Sequence, residues 1–78
     1  MLTTDTYLQY LGAAIKVVRL EKGWHQIDLA TGADMERTYI SEVETGKRNL
    51  PILHLVRISE ALELPLSELI KRAEQLSA

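Results

Sequence analysis

The chain has 78 residues, with nine Lys and Arg against eleven Asp and Glu, a formal net charge of −2 and no cysteine. A chain this short forms one domain that buries only about 60% of its unfolded surface, so self-association would help it, and the missing thiols exclude a disulfide framework and any thiolate metal site. No apolar run is long enough for a membrane span and no basic leader precedes an apolar core, so the expectation is a soluble helical domain in the cytoplasm.

Thr4, Asp5 or Thr6 can cap a first helix. Its apolar residues Leu8, Leu11, Ile15 and Val18 keep helical spacing until Lys22 and Gly23 stop it, which predicts a helix over about 6–21. Trp24, expected in the core, precedes a short second helix that begins near Gln26 and carries Leu29, Ala30 and Ala33. Asp34 and Met35 turn the chain into a third helix from about Arg37 to Thr45, and Gly46 stands where a left-handed stop belongs. Lys47, Arg48 and Asn49 form a basic loop. Pro51 suits the first turn of a fourth helix with Ile52, Leu55, Val56, Ser59 and Leu62 as its buried stripe. Pro65 opens a fifth, with Leu66, Leu69, Ile70, Ala73 and Leu76 on one side. The fold class expected is all-α, a single domain over 1–78 of five short helices with no strand, linker or repeat.

Residues 26–45 have the spacing that a helix-turn-helix requires. Two helices crossing steeply through a turn of about three to four residues need a small residue where they touch, and Ala30 is there. Leu29, Ala33, Met35, Ile40 and Val43 fall where apolar residues plug the angle between them. The turn needs one left-handed residue, which is Asp34; Asp tolerates that conformation better than most residues. At about 100° per residue, Ile40 and Val43 face inward on the third helix, whereas Thr38, Ser41, Glu42 and Thr45 face outward and Arg37 leads from its N-terminal end. That outer set is short and polar, so the helix can lie in a major groove with Arg37 and Thr38 nearest the base edges.

The run Arg19-Leu20-Glu21-Lys22-Gly23, with Gln26, Leu29-Ala30, Arg37-Thr38-Tyr39-Ile40-Ser41, Glu44 and Gly46-Lys47-Arg48-Asn49, resembles the Cro/repressor (XRE) helix-turn-helix family over roughly residues 8–72. Within it, the short length, Arg37-Thr38-Tyr39-Ile40-Ser41 and Arg48-Asn49-Leu50 resemble the controller proteins of restriction–modification systems. The resemblance implies a lambda-repressor-like, five-helix DNA-binding domain. It also implies base contacts from Arg37, Thr38, Ser41 and Glu42, and contacts to the DNA backbone from Gln26, Tyr39, Lys47, Arg48 and Asn49. Phosphate contacts set register and supply affinity, and base contacts supply choice. Four positions depart from the family's habit: His25 and Glu36 stand where short hydroxyls usually cap the second and third helices, Ile27 where a polar residue is usual, and Asp34 where Gly is. Glu42 on the reading face would repel phosphate but can accept from cytosine N4. Arg19 flanks the apolar stripe of the first helix and Glu44 lies beside Ile40, so both charges head for the same interior; the family commonly joins these positions in a partly buried salt bridge, a structural clamp.

The fourth and fifth helices, over 51–76, offer more apolar surface than a small bundle can bury. Leu53, Ile58, Leu66, Leu69 and Ile70 are therefore expected to form a two-fold homodimer interface. Two recognition helices would then meet one duplex of double-stranded DNA about 34 Å apart, on a roughly palindromic operator. No cofactor or metal is expected, since His25 and His54 lack ligand spacing. No enzyme is expected either, because Ser41 with His54 has no third residue or oxyanion loop. The rival class is an antitoxin-like module that grips a protein partner and binds DNA secondarily.

Overall fold

The computed structural model describes residues 3–77. Thr3 sets the start of the first helix: its Oγ1 accepts the Thr6 amide at 3.2 Å, so the cap lies one residue before the earliest of those expected. The elements in order are α1 (Thr4–Glu21), α2 (Gln26–Ala33), α3 (Arg37–Glu44), α4 (Ile52–Ala61) and α5 (Leu66–Leu76), with no strand among the described residues. Pro51 and Pro65 both stand at the N-cap, immediately before α4 and α5, where an extended conformation and a missing N–H suit them.

Four inter-helix turns use one device, a left-handed residue just after a helix. These are Gly23 (φ 73°), Asp34 (φ 55°), Gly46 (φ 75°) and Glu63 (φ 56°). Each lets the next amide reach back to a carbonyl of the last turn. Trp24 N–H donates to Arg19 O at 3.2 Å, Met35 to Ala30 O at 2.8 Å, Lys47 to Glu42 O at 2.9 Å and Leu64 to Ser59 O at 3.0 Å. Asp34 was legible as such a residue, whereas Glu63, with no favourable side chain for the role, was not. Gly46 has a second reason to be glycine, because a Cβ there would stand 2.8 Å from the Gln9 Cα.

The core is assembled from Leu11, Ala14, Ile15 and Val18 of α1, Leu29, Ala30 and Ala33 of α2, Ile40 and Val43 of α3, Leu55 and Ile58 of α4 with Leu62 after it, and Leu69 and Ala73 of α5. Trp24 and Met35 are partly buried against it. α1 packs on α5 and α3, and α2 packs on α3 and α4, so α3 is held from one side and its opposite side is left open. Gly12 makes the α1–α3 contact this close: a Cβ on it would fall 2.2 Å from the Val43 carbonyl oxygen.

α4 and α5 depart from expectation in two ways. The buried stripe of α4 is Leu55, Ile58 and Ser59, continued by Leu62, while Ile52 is 62% exposed. Ile58 and Leu69, expected at a dimer interface, are both fully buried within the single chain and have no surface to offer a partner. The physical reason is that α4 crosses the bundle with its 55–58–62 edge inward. Leu66 and Ile70 are half-buried and Leu53 is 71% exposed.

Candidate nucleic-acid interface

Below the outward face of α3 lies a buried polar network. Arg19 Nε donates to Glu44 Oε2 at 2.6 Å and Arg19 Nη2 to Glu44 Oε1 at 3.0 Å, a two-point pairing, and Arg19 Nη1 donates to the Trp24 carbonyl at 2.7 Å. Only 7% and 2% of the two side chains is exposed, a burial that a charge tolerates when its hydrogen-bonding groups are matched. Among the described residues no buried side-chain nitrogen or oxygen lacks a partner. Gln26 extends the network outward: its Nε2 donates to Glu44 Oε1 at 3.0 Å, and its Oε1 accepts from Arg37 Nη1 at a long 3.4 Å. The chain of contacts thus runs from the core of α1 through the end of α3 and the start of α2 to the guanidinium at the head of α3.

The N-terminus of α2 is closed by the Asp28 carboxylate, which accepts the His25 amide at 2.7 Å. That contact is the N3 half of a capping box, which satisfies the His25 amide and sets an acidic group at the positive end of α2; it does not replace the hydroxyl missing at His25, whose side chain makes no cap hydrogen bond. Glu36 precedes α3 without a side-chain cap bond. Arg37 and Thr38 are exposed and Ser41 and Glu42 half-exposed. Thr45, exposed as its outward placement requires, turns its hydroxyl back onto the Ser41 and Glu42 carbonyls, each at 3.1 Å.

The basic loop folds against the same face. Arg48 Nε stands 3.3 Å from Glu42 Oε2, and its guanidinium lies 5.3 Å from the centre of the Tyr39 ring. One residue expected at the bases and one expected at the backbone are therefore paired with each other in the free chain. Lys47 and Asn49 are exposed beside them. The Tyr39 hydroxyl lies 2.9 Å from His54 Nδ1, with the two rings edge to face. Burial raises the Tyr39 pKa above the ordinary 10.0 while Arg48 and Arg57 pull it back, so the hydroxyl keeps its proton near neutrality. Ile27 is exposed on α2.

Two residues of α4 support this face without having been expected there: His54, weighed in the sequence only as a ligand or base, and Arg57, which the sequence did not single out. His54 meets Tyr39, and Arg57 reaches the α2–α3 turn, donating to the Ala33 carbonyl from Nε at 3.1 Å and from Nη2 at 2.7 Å. Their spacing of three along α4 was the available signal, since it sets both on one edge beside the buried stripe.

The small alanine crossing, the left-handed Asp34 and the outward polar face of α3 fit one architecture, and a family model described as helix-turn-helix matches residues 15–69, more than half of the chain. The chain belongs to the helix-turn-helix family. Control protein C.MunI of Mycoplasma sp is 40% identical over 65 residues, spanning 82% of this chain and 88% of its own. Control protein C.BamHI of Bacillus amyloliquefaciens is 37% identical over 68 residues, spanning 86% and 84%. A solved structure of C.Esp1396I bound to a 19 base pair DNA duplex superposes with a TM-score of 0.85 at 36% identity, covering 92% of this chain and 96% of that one. In this helix-turn-helix chain α2 is the supporting helix and α3 the one presented to solvent. The family is one of DNA-binding regulators and not of enzymes. No described helix is long and apolar enough to cross a membrane.

Proposed function

We propose that this chain is a DNA-binding transcription regulator of the restriction–modification controller kind, a cytoplasmic protein that binds double-stranded DNA sequence-specifically as a homodimer. The observation that carries the reading is the outer face of α3, exposed and polar from Arg37 and Thr38 onward, on a helix clamped from behind by the Arg19–Glu44 pair. A rigid helix with a cation at its leading end enters a major groove without bringing apolar bulk to the phosphates. Arg37 and Thr38 read base edges, with Ser41 and Glu42 behind them. Gln26, Tyr39, Lys47, Arg48 and Asn49 hold the backbone, and Arg48 exchanges Glu42 for phosphate on binding. The net charge of −2 is no obstacle, because Glu60, Glu63, Glu68 and Glu74 belong to the α4–α5 half of the chain, away in sequence from the reading helix.

The homodimer reading rests on Leu53 and its neighbour Ile52, large apolar side chains standing in solvent at the start of α4, together with half-buried Leu66 and Ile70. The likeness to C.MunI and C.BamHI supports the controller reading over a protein-gripping antitoxin. Selecting bound sequences from a random duplex library tests the function. A recovered motif with two related half-sites is the expected result, and recovery of unselected sequence with binding abolished by modest salt would reject it.

A further inference from the structure

The α2–α3 turn carries an energetic burden that α2 does not meet itself. α2 has eight residues, no basic residue in its last turn and a C-terminus closed by a non-glycine in the left-handed region, Asp34 at φ 55°. Of its last carbonyls, Ala30 O receives the Met35 amide and Thr31 O the Asp34 amide, at 2.8 and 3.2 Å. The Ala33 and Asp34 carbonyls are instead taken by the Arg57 guanidinium from α4: Nε and Nη2 both donate to Ala33 O, and Nη2 also donates to Asp34 O. A cation over the carbonyl end of a helix is favourable in its own right. Here it also fixes the two peptide groups whose orientation defines the turn. The Asp34 carboxylate is not the anchor, since it lies 3.9 Å from Nη2 and its side chain is fully exposed.

We propose that Arg57 is a positioning residue that holds the left-handed turn at Asp34, and through it the direction in which α3 is presented to DNA. The DNA half of this rests on the function proposed above. Any rotation at residues 33–35 is a rotation of α3 relative to α2, and Arg37 and Thr38 at the head of α3 move with it. Because Arg57 belongs to α4, which also carries Leu53, the same contact ties the angle of the recognition helix to the helix proposed above to dimerise.

Arg57→Lys is the informative variant. It keeps the charge but replaces a planar fork with a single ammonium that cannot hold two peptide carbonyls in the same way. In the free protein, amide NMR shifts for residues 34–39 should change. On DNA, the preference for the selected operator over random duplex should fall roughly tenfold with the salt slope unchanged. A second variant separates holding the turn from touching DNA. Asp34→Gly removes the left-handed strain, so in that background Arg57→Lys should lose much less operator preference and much less stability than in the parent. Unchanged amides at 34–39, or an Asp34→Gly background that gives no relief, overturns the proposal. So does an equal loss on operator and random duplex with a salt slope smaller by about one, which would make Arg57 a phosphate contact. A parent protein that prefers no sequence overturns the DNA half alone, and the amide shifts with the stability cycle then decide whether Arg57 holds the turn.

Discussion

Arg37 and Arg48 carry the same charge on the same face, yet their surroundings differ, and the roles proposed for them differ with them. Arg37 stands at the head of α3, tethered among the described residues only by the long contact to Gln26, and Arg48 lies on Tyr39 within reach of Glu42. Arg37→Ala should therefore lower operator affinity by about 1–3 kcal/mol and flatten the preference at one or two base pairs, leaving random duplex less affected. Lys47→Ala should weaken both duplexes alike and reduce the salt slope by about one. Filter binding across a salt series separates the two classes, and equal proportional losses from both substitutions would sink the recognition-helix assignment. The clamp behind the face answers to another measurement. Arg19→Ala leaves the Glu44 carboxylate almost wholly buried with only Gln26 beside it, so unfolding in urea should show a loss of roughly 3–5 kcal/mol. A loss below about 1 kcal/mol would mean that the pair behaves as a solvated one.

At the scale of the helices, Gly12 sets two rules against each other. Its position inside α1 favours Ala by helix propensity, by up to about 1 kcal/mol. Its contact with α3 forbids it, because the added carbon would meet backbone, the Val43 and Glu44 carbonyl oxygens at 2.2 and 2.8 Å, which cannot swing aside as a side chain would. Gly12→Ala should thus destabilise by about 1–3 kcal/mol in chemical denaturation, and a stabilised variant would refute the close approach. Such a residue is invisible to periodicity, since a glycine adds nothing to an apolar stripe. The order of the helices, the Ala30 crossing and the Asp34 turn were legible because each depends on local pattern or on one residue's backbone preference. Thr3, Glu63, His54 and Arg57 were not, because their roles follow from where the chain begins its first turn or from what a distant element brings near. The α4 stripe was misread by one edge for a related reason: Ile52, Leu53, Leu55, Val56 and Ile58 make that helix apolar nearly all round, and only the position of α2 and α5 decides which side is covered.

For the molecule as a whole, the placement of Leu69 changes how dimerisation can be probed. A charge at this fully buried position would unfold the chain, so loss of DNA binding in Leu69→Glu would say nothing of an interface. Leu53 is the discriminating site. At 71% exposure it contributes little to the monomer core, and Leu53→Glu should retain the helical content and lie within about 0.5 kcal/mol of the parent in the stability of the isolated fold. If Leu53 packs against its symmetry mate, the substitution sets like charges face to face across a two-fold axis. Sedimentation should then move from dimer to monomer. Operator affinity should fall far more than affinity for a single half-site, because a monomer engages one recognition helix where a dimer engages two and loses the gain from tethering. A parent that sediments as a monomer at working concentration, or a Leu53→Glu protein that stays dimeric with operator binding intact, would move the interface off the start of α4 and require a different surface to bring two copies of α3 onto one duplex.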